Sequence, residues 1–260
     1  MKYRTFFIPK DSPIHRLNPL TKLTVLGFII VSLYTINWIH FPILLFLLII
    51  FPIAFLGRVS KEFFRIILKV GLPLILFVFA FQIVFYPGGE KVIWELSVVK
   101  IKLEAIIFSY LLGSRILVII SSFLIFLLTT NPGHIMNSLI SIGFPPTISY
   151  VILSTLNIFP YIQSKANSIL DAQKSRGLEV EGNIFIKIKS LIPLITPLLF
   201  SSISEVEQRA LALEVRAFSS SNPKTSILKI KDSLPQKIFR IVTLLLCLIL
   251  IIYKFYLVIF

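Results

Sequence analysis

Apolar residues in this chain come in long runs, over residues 23–39, 41–56, 66–86, 105–130 and 238–260. A helix that is apolar on every side belongs in a membrane, and a span takes about 20 such residues. The runs therefore predict an all-α integral membrane protein with about five transmembrane helices. Asn18-Pro19 opens the first, because Asn caps and Pro at the first helical position gives up an N–H that has no partner anyway. Trp38 and His40 fall at an expected membrane interface. Arg58, Lys61, Arg65 and Lys69 read as a basic connection, and Pro87-Gly88-Gly89 ends the third run. Residues 90–104 are polar and mixed in charge. The fourth run carries Arg115, a charge within a span. It faces a partner or polar cavity, or else it reaches the interface or pairs within the bundle.

The middle of the chain is patterned differently. Its apolar stretches, 146–162 and 191–203, are shorter than a span and interrupted by polar residues. These include Ser149, Thr155 and Asn157 in the first, and Thr196, Ser201 and Ser202 in the second. They predict helices lying in or under the membrane surface. Three regions follow: a membrane domain of four helices over residues 1–130, a cytoplasmic domain with two long helices over 131–234, and a closing span over 235–260.

Composition supports the membrane assignment. Of the 260 residues 56% are hydrophobic and only 15% are charged, against roughly 25% in soluble domains. The net charge of +14 is explained by basic cytoplasmic loops, so nucleic acid is not expected as a partner. With a cytoplasmic N-terminus and five spans, the basic segments 2–22, 58–69 and the middle region all fall inside, leaving Lys91, Lys100, Lys102 and Lys254 outside. Spanning middle stretches would instead move Lys165, Lys174, Arg176, Lys187 and Lys189 outside. The expected location is the cell membrane, multi-pass. The basic N-terminus lacks a small-residue cleavage site and reads as a cytoplasmic start rather than a removable signal.

The chemistry of a catalyst is missing. His15, His40 and His134 are scattered, no acidic residue lies in mid-span, and Cys247 is the single cysteine. No phosphate loop, dinucleotide fingerprint or metal motif occurs. The expectation is a non-catalytic subunit that binds no cofactor or metal directly.

Two short stretches in the middle region repeat one pattern about 40 residues apart: Ala172-Gln173-Lys174-Ser175-Arg176-Gly177-Leu178-Glu179 and Ala212-Leu213-Glu214-Val215-Arg216-Ala217-Phe218. Lys165, Ala172, Arg176 and Glu179 share one helical stripe, and Gly177 suits a left-handed helix end. Arg176 then sits in the last turn, where the helix dipole favours a cation. In the second stretch Glu205, Arg209 and Arg216 share a stripe, with Glu205 and Arg209 spaced for an i,i+4 pair. Ala210, Ala212 and Ala217 keep the surface narrow. Such arginines fit into grooves on another protein.

These residues also carry a resemblance. The chain resembles the transmembrane T component of energy-coupling factor transporters, a family that includes the cobalt-transport membrane subunit. The segment from Asp11 to Lys22 is similar to the family's opening, with Asn18 where Asp is usual. Thr129-Thr130-Asn131-Pro132 is similar to the polar break after the fourth helix. Ile158-Phe159-Pro160-Tyr161 and the two arginine endings are similar to the coupling helices. Ser175 stands in place of Ala in the first ending, and Val215 and Ala217 stand where Ala and Gly are common in the second.

The resemblance implies a coupling scaffold that joins two ATP-binding cassette subunits, as homo- or heterodimer, to a substrate-binding membrane S component, surrounded by lipid. ATP is used by the partners. Ala172, Ser175, Arg176, Gly177, Glu214, Arg216 and Ala217 would dock the ATPases, and Leu156, Pro160, Leu194 and Leu198 would meet the S component. Vitamins or transition metal ions would be the cargo. The alternative is a stand-alone secondary transporter, which would show broken helices at mid-membrane and an internal repeat.

Overall fold

A computed structural model describes residues 7–88, 92–96, 99–178, 183–218, 220, 230 and 232–259. Residues 1–6, Lys91 and Glu179 lie outside the described residues. The order is α1 (Pro19–Thr35), α2 (Phe41–Leu56), α3 (Ser60–Phe85), β1 (Val92–Leu96), β2 (Val99–Lys102), α4 (Leu103–Thr129), α5 (Pro132–Ser141), α6 (Pro146–Ser175), α7 (Ile184–Val215) and α8 (Leu234–Ile259). The fold is that of an all-α membrane protein. α3, α4 and α8 are long and apolar enough to cross a membrane, and α1 and α2 are shorter apolar helices. The polar segment after α3 is not a plain loop. It holds an antiparallel hairpin, with Leu96 opposite Val99 and Glu95 opposite Lys100.

The chain divides into two compact units, Met1–Ile142 with Lys229–Phe260, and Gly143–Leu228. α5 therefore belongs with the apolar helices. A correction concerns Lys61, Arg65 and Lys69. They are not in a connection but on α3, whose first turns begin at Ser60.

In the first unit the five apolar helices run alternately between two ends. At one end an N-terminal strap ties them together. Ile8 N–H donates to Leu128 O at the end of α4 (3.1 Å). Lys10 Nζ donates to Arg58 O (2.9 Å) and pairs with Glu62 (3.1 Å) where α2 gives way to α3. Lys22 Nζ donates to Thr129 O (2.8 Å), and Asn18 N–H donates to Gln236 Oε1 (3.1 Å) at the start of α8. At the other end Lys254 of α8 donates to Tyr34 O, the His40 ring meets Tyr110 Oη (3.2 Å), and Lys102 Nζ donates to Gly88 O (3.3 Å).

The helices are punctuated as their sequence requires. Asn18 Oδ1 accepts from Leu20 N–H (2.9 Å), and Asn131 Oδ1 accepts from Gly133 N–H (2.8 Å), so an Asn-Pro opening is used twice. Wider π-helical turns at Phe46–Ile50 and Ile67–Gly71 directly precede Phe51-Pro52 and Leu72-Pro73. Proline has no N–H to continue the ladder and its ring crowds the preceding turn, and the extra residue relieves both. α2 ends on Arg58 at φ 55, with Val59 N–H donating to Ala54 O (3.2 Å).

Ile29, Leu33, Leu45, Ile50, Ala54, Phe63, Val118 and Leu128 form the core of this unit. α3 packs along α4, where Ala105, Ser109 and Gly113 recur every fourth residue. A Cβ at Gly113 would stand 3.5 Å from Ile75, so small residues set the approach of the two helices. The Ser109, Ser114 and Ser122 hydroxyls donate to carbonyls of their own helix, which removes the cost of burying them.

Two outcomes are expected. Asn18→Ala leaves the Leu20 N–H uncapped and costs about 1 kcal/mol, while Asn18→Ser, which keeps an acceptor, loses less; denaturation in detergent measures both. The second concerns pH. His15 Nε2–H donates to Ile8 O (3.0 Å), and Nδ1 accepts from Ser12 Oγ (2.7 Å), which is the neutral ring. Burial, aided by the Lys22 and Lys10 ammonium groups, holds its pKa below the usual 6.5 against the pull of the Ile8 carbonyl and Asp11. The unfolded ring takes a proton first as pH falls, so the stability from this ring is full above about pH 6.5 and declines below it. The thermal midpoint should drop across that range in the wild type and drop less in His15→Gln. Equal profiles would contradict the assignment.

Candidate functional site

The second unit is built on α6 and α7. The Tyr150 and Phe218 rings pack tilted, 5.1 Å between centroids, and Lys165 pairs with Glu205 (3.7 Å) and donates to Ser201 O (3.4 Å). Moving forward along α6 from 150 to 165 thus moves backward along α7 from 218 to 201–205, so the helices are antiparallel. Glu205 is the hinge of the contact. It accepts from Arg209 Nε (3.1 Å) within α7, as the i,i+4 spacing predicts, and also binds Lys165 across the pair. Lys165 Nζ further lies 5.4 Å from the Tyr161 ring centre. Pro160 lies inside α6, and Pro193 and Pro197 lie inside α7. Each removes one ladder hydrogen bond and favours a bend.

Both helices stop in the same way. After α6, Gly177 N–H donates to Lys174 O (2.9 Å) and Leu178 N–H to Gln173 O (3.0 Å), with Gly177 at φ 91. After α7, Ala217 N–H donates to Glu214 O (2.8 Å) and Phe218 N–H to Leu213 O (2.9 Å), with Ala217 at φ 54. These are two copies of the Schellman ending, in which the residue after the cap turns left-handed and the next N–H reaches back to the helix. Arg176 and Arg216 occupy the same place in each, the cap residue beside the free carbonyls. Both are exposed, as are Ala172, Ser175, Gly177, Glu214 and Ala217.

The antiparallel register puts the two arginines at opposite ends of the pair. Arg216 stands level with the first turns of α6, two residues before Phe218 and its partner Tyr150. From there to Arg176 is on the order of 36 Å along α6 at 1.5 Å per residue.

Between the ends, each helix shows an apolar stripe. On α6 it runs Ile148, Ile152, Leu156 and Phe159, and on α7 Ile192, Ile195, Leu199, Ile203 and Val206, all exposed. The spacings of three and four are those of one helix face. Leu156 lies on the α6 stripe. Pro160 is half-buried, and Leu194 and Leu198 are half-buried as well, turned partly away from solvent. Phe159, Ile195 and Leu199 are the more exposed residues. The i, i+3, i+7 register from Ile192 is the signal for Ile195 and Leu199, and the i, i+4, i+8, i+11 register from Ile148 is the signal for Phe159.

Arg115 stays within the first unit. Its guanidinium carbon lies 5.7 Å from the Tyr34 ring centre, and its Nε is buried without an acceptor among the described residues. Among the described residues no cluster of His, Cys, Asp or Glu that could hold a metal occurs.

Comparison with known proteins gives the class of this membrane protein. The chain belongs to the cobalt transport protein family, whose profile matches residues 10–227. It is similar to the energy-coupling factor transporter transmembrane protein of Lactococcus lactis subsp. cremoris, 31% identical over 259 residues, 93% of this chain and 95% of the relative. It is also similar to the proteins of that name from Streptococcus thermophilus, 31% identical over 84% of this chain and 86% of the relative, and Staphylococcus aureus, 28% identical over 96% of each. The chain is thus a membrane transport protein of the energy-coupling factor T-component type.

The two helix ends differ in one testable way. An L-residue with a side chain pays roughly 1–2 kcal/mol in the left-handed region, which glycine avoids. Ala217→Gly should stabilise the end of α7 by about 0.5–1 kcal/mol after glycine's greater chain entropy is subtracted, and Gly177→Ala should weaken the end of α6 by a similar amount. Amide exchange of the last turns reads both. Slower exchange in Gly177→Ala would contradict the shared geometry.

Proposed function

We propose that this chain is the coupling subunit of an ATP-driven importer. Arg176 and Arg216 each dock into a groove on one of two ABC ATPase subunits, and the apolar stripes of α6 and α7 support a separate substrate-binding S component. The observation that carries this reading is the pair of identical helix ends, each presenting an exposed arginine, at opposite ends of an antiparallel pair. Two such ends suit a dimeric partner with two equivalent grooves. A guanidinium brings a planar fork of five donors, always charged, to carboxylates and carbonyls. Ala172, Ser175, Gly177, Glu214 and Ala217 surround the two forks with little bulk, so a groove wall can close on them.

The stripes support the second half of the reading. A contiguous exposed apolar face on a helix pair is a liability unless something covers it. A membrane-embedded S component has the matching surface. Leu156 and Phe159 on α6, and Ile195 and Leu199 on α7, make the main contacts, with Pro160, Leu194 and Leu198 at their edge. When the ATPases close on ATP, they draw the two arginine ends with them. The proline-interrupted helices carry that movement to the S component. ATP is bound and hydrolysed by the partners, and this chain contributes no catalytic group and no cofactor. The S component selects the cargo, a vitamin or a transition metal ion.

The second unit, Gly143–Leu228, lies on the cytoplasmic side, as does the N-terminus. The strap end of the first unit carries Lys10, Arg16, Lys22, Arg58, Lys61 and Arg65, and the positive-inside bias puts such an end in the cytoplasm.

The test is uptake together with co-purification. Truncating a buried interfacial arginine typically costs about 2–5 kcal/mol. Arg176→Ala or Arg216→Ala should each weaken ATPase retention and slow uptake, and the double variant should abolish uptake. Lysine at either position should rescue only in part, because it lacks the fork. Leu199→Asp and Phe159→Asp should release the S component and leave the ATPases bound, since a carboxylate in an apolar contact is costly. Normal uptake by the double alanine variant with both ATPases retained would refute the docking role. Loss of the ATPases from Leu199→Asp would show that the two sides are assigned in reverse.

A further inference from the structure

A cavity of about 620 Å³ opens in the first unit among α1, α2, α4 and α8. Its volume is in the roughly 300–1,000 Å³ range of ligand sites. Its walls are almost wholly apolar, with Val25, Ile50, Ile125, Phe239 and Val242 among them. It exists because α8 packs extensively on α1 alone, so α4 and α8 stand apart and leave a wedge between them. The walls face the membrane-crossing part of the molecule, and α8 is the least buried of the three long apolar helices.

One end of the wedge is chemically distinct. Lys22 and Gln236 line it beside the strap residues Ile14 and Leu17. Lys22 spends one donor on Thr129 O (2.8 Å), and no carboxylate lies within ion-pair distance of it among the described residues. An ammonium has three donors, so this one keeps capacity for an anion. Thr21, also lining the wedge, is 4% exposed, and its hydroxyl has no hydrogen-bond partner among the described residues. The neighbouring hollow, which shares Leu17 and Gln236, adds Arg16 and Arg58 against a single acid, Asp11, already near Arg16 at 3.8 Å. A half-buried cation without a counter-charge carries a desolvation cost, and an unsatisfied buried hydroxyl is costly too. Both sit where an apolar slot meets the end of the bundle.

We propose that this wedge binds one acyl chain of an anionic membrane phospholipid, whose phosphate rests on Lys22 Nζ. The chain lies between α4 and α8 against α1, and the Thr21 hydroxyl supplies a further donor near the headgroup. A lipid held there fills the gap that α8 leaves and ties α8 to the rest of the unit. The charge at the mouth selects an anionic headgroup over a zwitterionic one. The apolar walls select an acyl chain over a soluble anion.

Native mass spectrometry of the full transporter complex, taken from nanodiscs holding equal phosphatidylglycerol and phosphatidylcholine of the same chains, tests this. The wild type should retain one phosphatidylglycerol per copy of this chain, with a preference of about tenfold over phosphatidylcholine. Lys22→Gln, which can still donate to Thr129 O, should bring the two lipids to near equality. Val242→Trp fills the wedge from a half-exposed position on α8 and should abolish retention of either lipid. Equal retention of the two lipids by the wild type overturns the proposal, as does undiminished retention by Val242→Trp. Release of a protein subunit from Val242→Trp with the lipid still bound would show a protein groove instead, and also overturns it. If Lys22→Gln fails to assemble, the wild-type competition and Val242→Trp decide.

Discussion

A helix stops cleanly when the residue after its last turn goes left-handed and the next amide folds back to the helix. Both long helices of the second unit end on that pair of hydrogen bonds, and the arrangement of the arginines depends on it. The cap residue is held by the bonds on either side, so its side chain leaves the helix at a set place beside the free carbonyls. Gly177 takes the left-handed position without strain. Ala217 takes it against a cost of roughly 1–2 kcal/mol. The Ala217 and Phe218 amides, and the packing of Phe218 on Tyr150, offset that cost and retain the geometry. The same contact sets the antiparallel register, so one ring pair both closes the end of α7 and places Arg216 opposite Arg176 along α6.

The membrane unit follows a different constraint. Lipid offers no hydrogen bonds, so every backbone group within it must be satisfied by protein. The prolines of α2 and α3 are accommodated by π-helical turns rather than by open breaks, and Ser109, Ser114 and Ser122 of α4 donate to their own helix. Among the described residues the polar connections between helices gather at the two ends, where the strap residues Lys10 and Asn18 and Lys22 of α1 join α2, α3, α4 and α8. The middle of the unit is held by close approach, with small residues on α4 letting α3 come near. Apolar attraction between helices cannot do this in lipid, because the tails are as apolar as the side chains.

Some of this is legible in the residues alone. The runs of apolar residues locate the membrane helices, Asn18-Pro19 marks a start, and Gly177 marks an end. Ala217 is legible as a helix end only through its likeness to the first ending, since alanine ordinarily continues a helix; the Ala217 and Phe218 amides, which reach back to Glu214 O and Leu213 O, and the Phe218–Tyr150 packing stop it. Lys61, Arg65 and Lys69 look like a loop because charge is averaged over a window, whereas the helix beneath them is continuous from Ser60. The hairpin of β1 and β2 is hidden in a segment that mixes apolar and charged residues. Which apolar faces meet protein rather than lipid cannot be read from hydrophobicity at all, and hydrophobicity alone does not separate the half-buried Leu194 and Leu198 from the exposed Ile195 and Leu199. The wedge beside α8 is a matter of packing, and no local pattern announces it.

The most direct measurement of the central claim is site-specific cross-linking from the last turns of α6 and α7. Lys174 and Glu214 are exposed and equivalent, each two residues before its arginine, so Lys174→Cys and Glu214→Cys leave both forks intact. In a Cys247→Ser background, a short photoactivatable thiol reagent on either position of the assembled transporter should capture an ATPase subunit. With both positions labelled, one chain should capture two ATPase subunits. Capture of the substrate-binding membrane component from either position, or of no protein, would contradict the account.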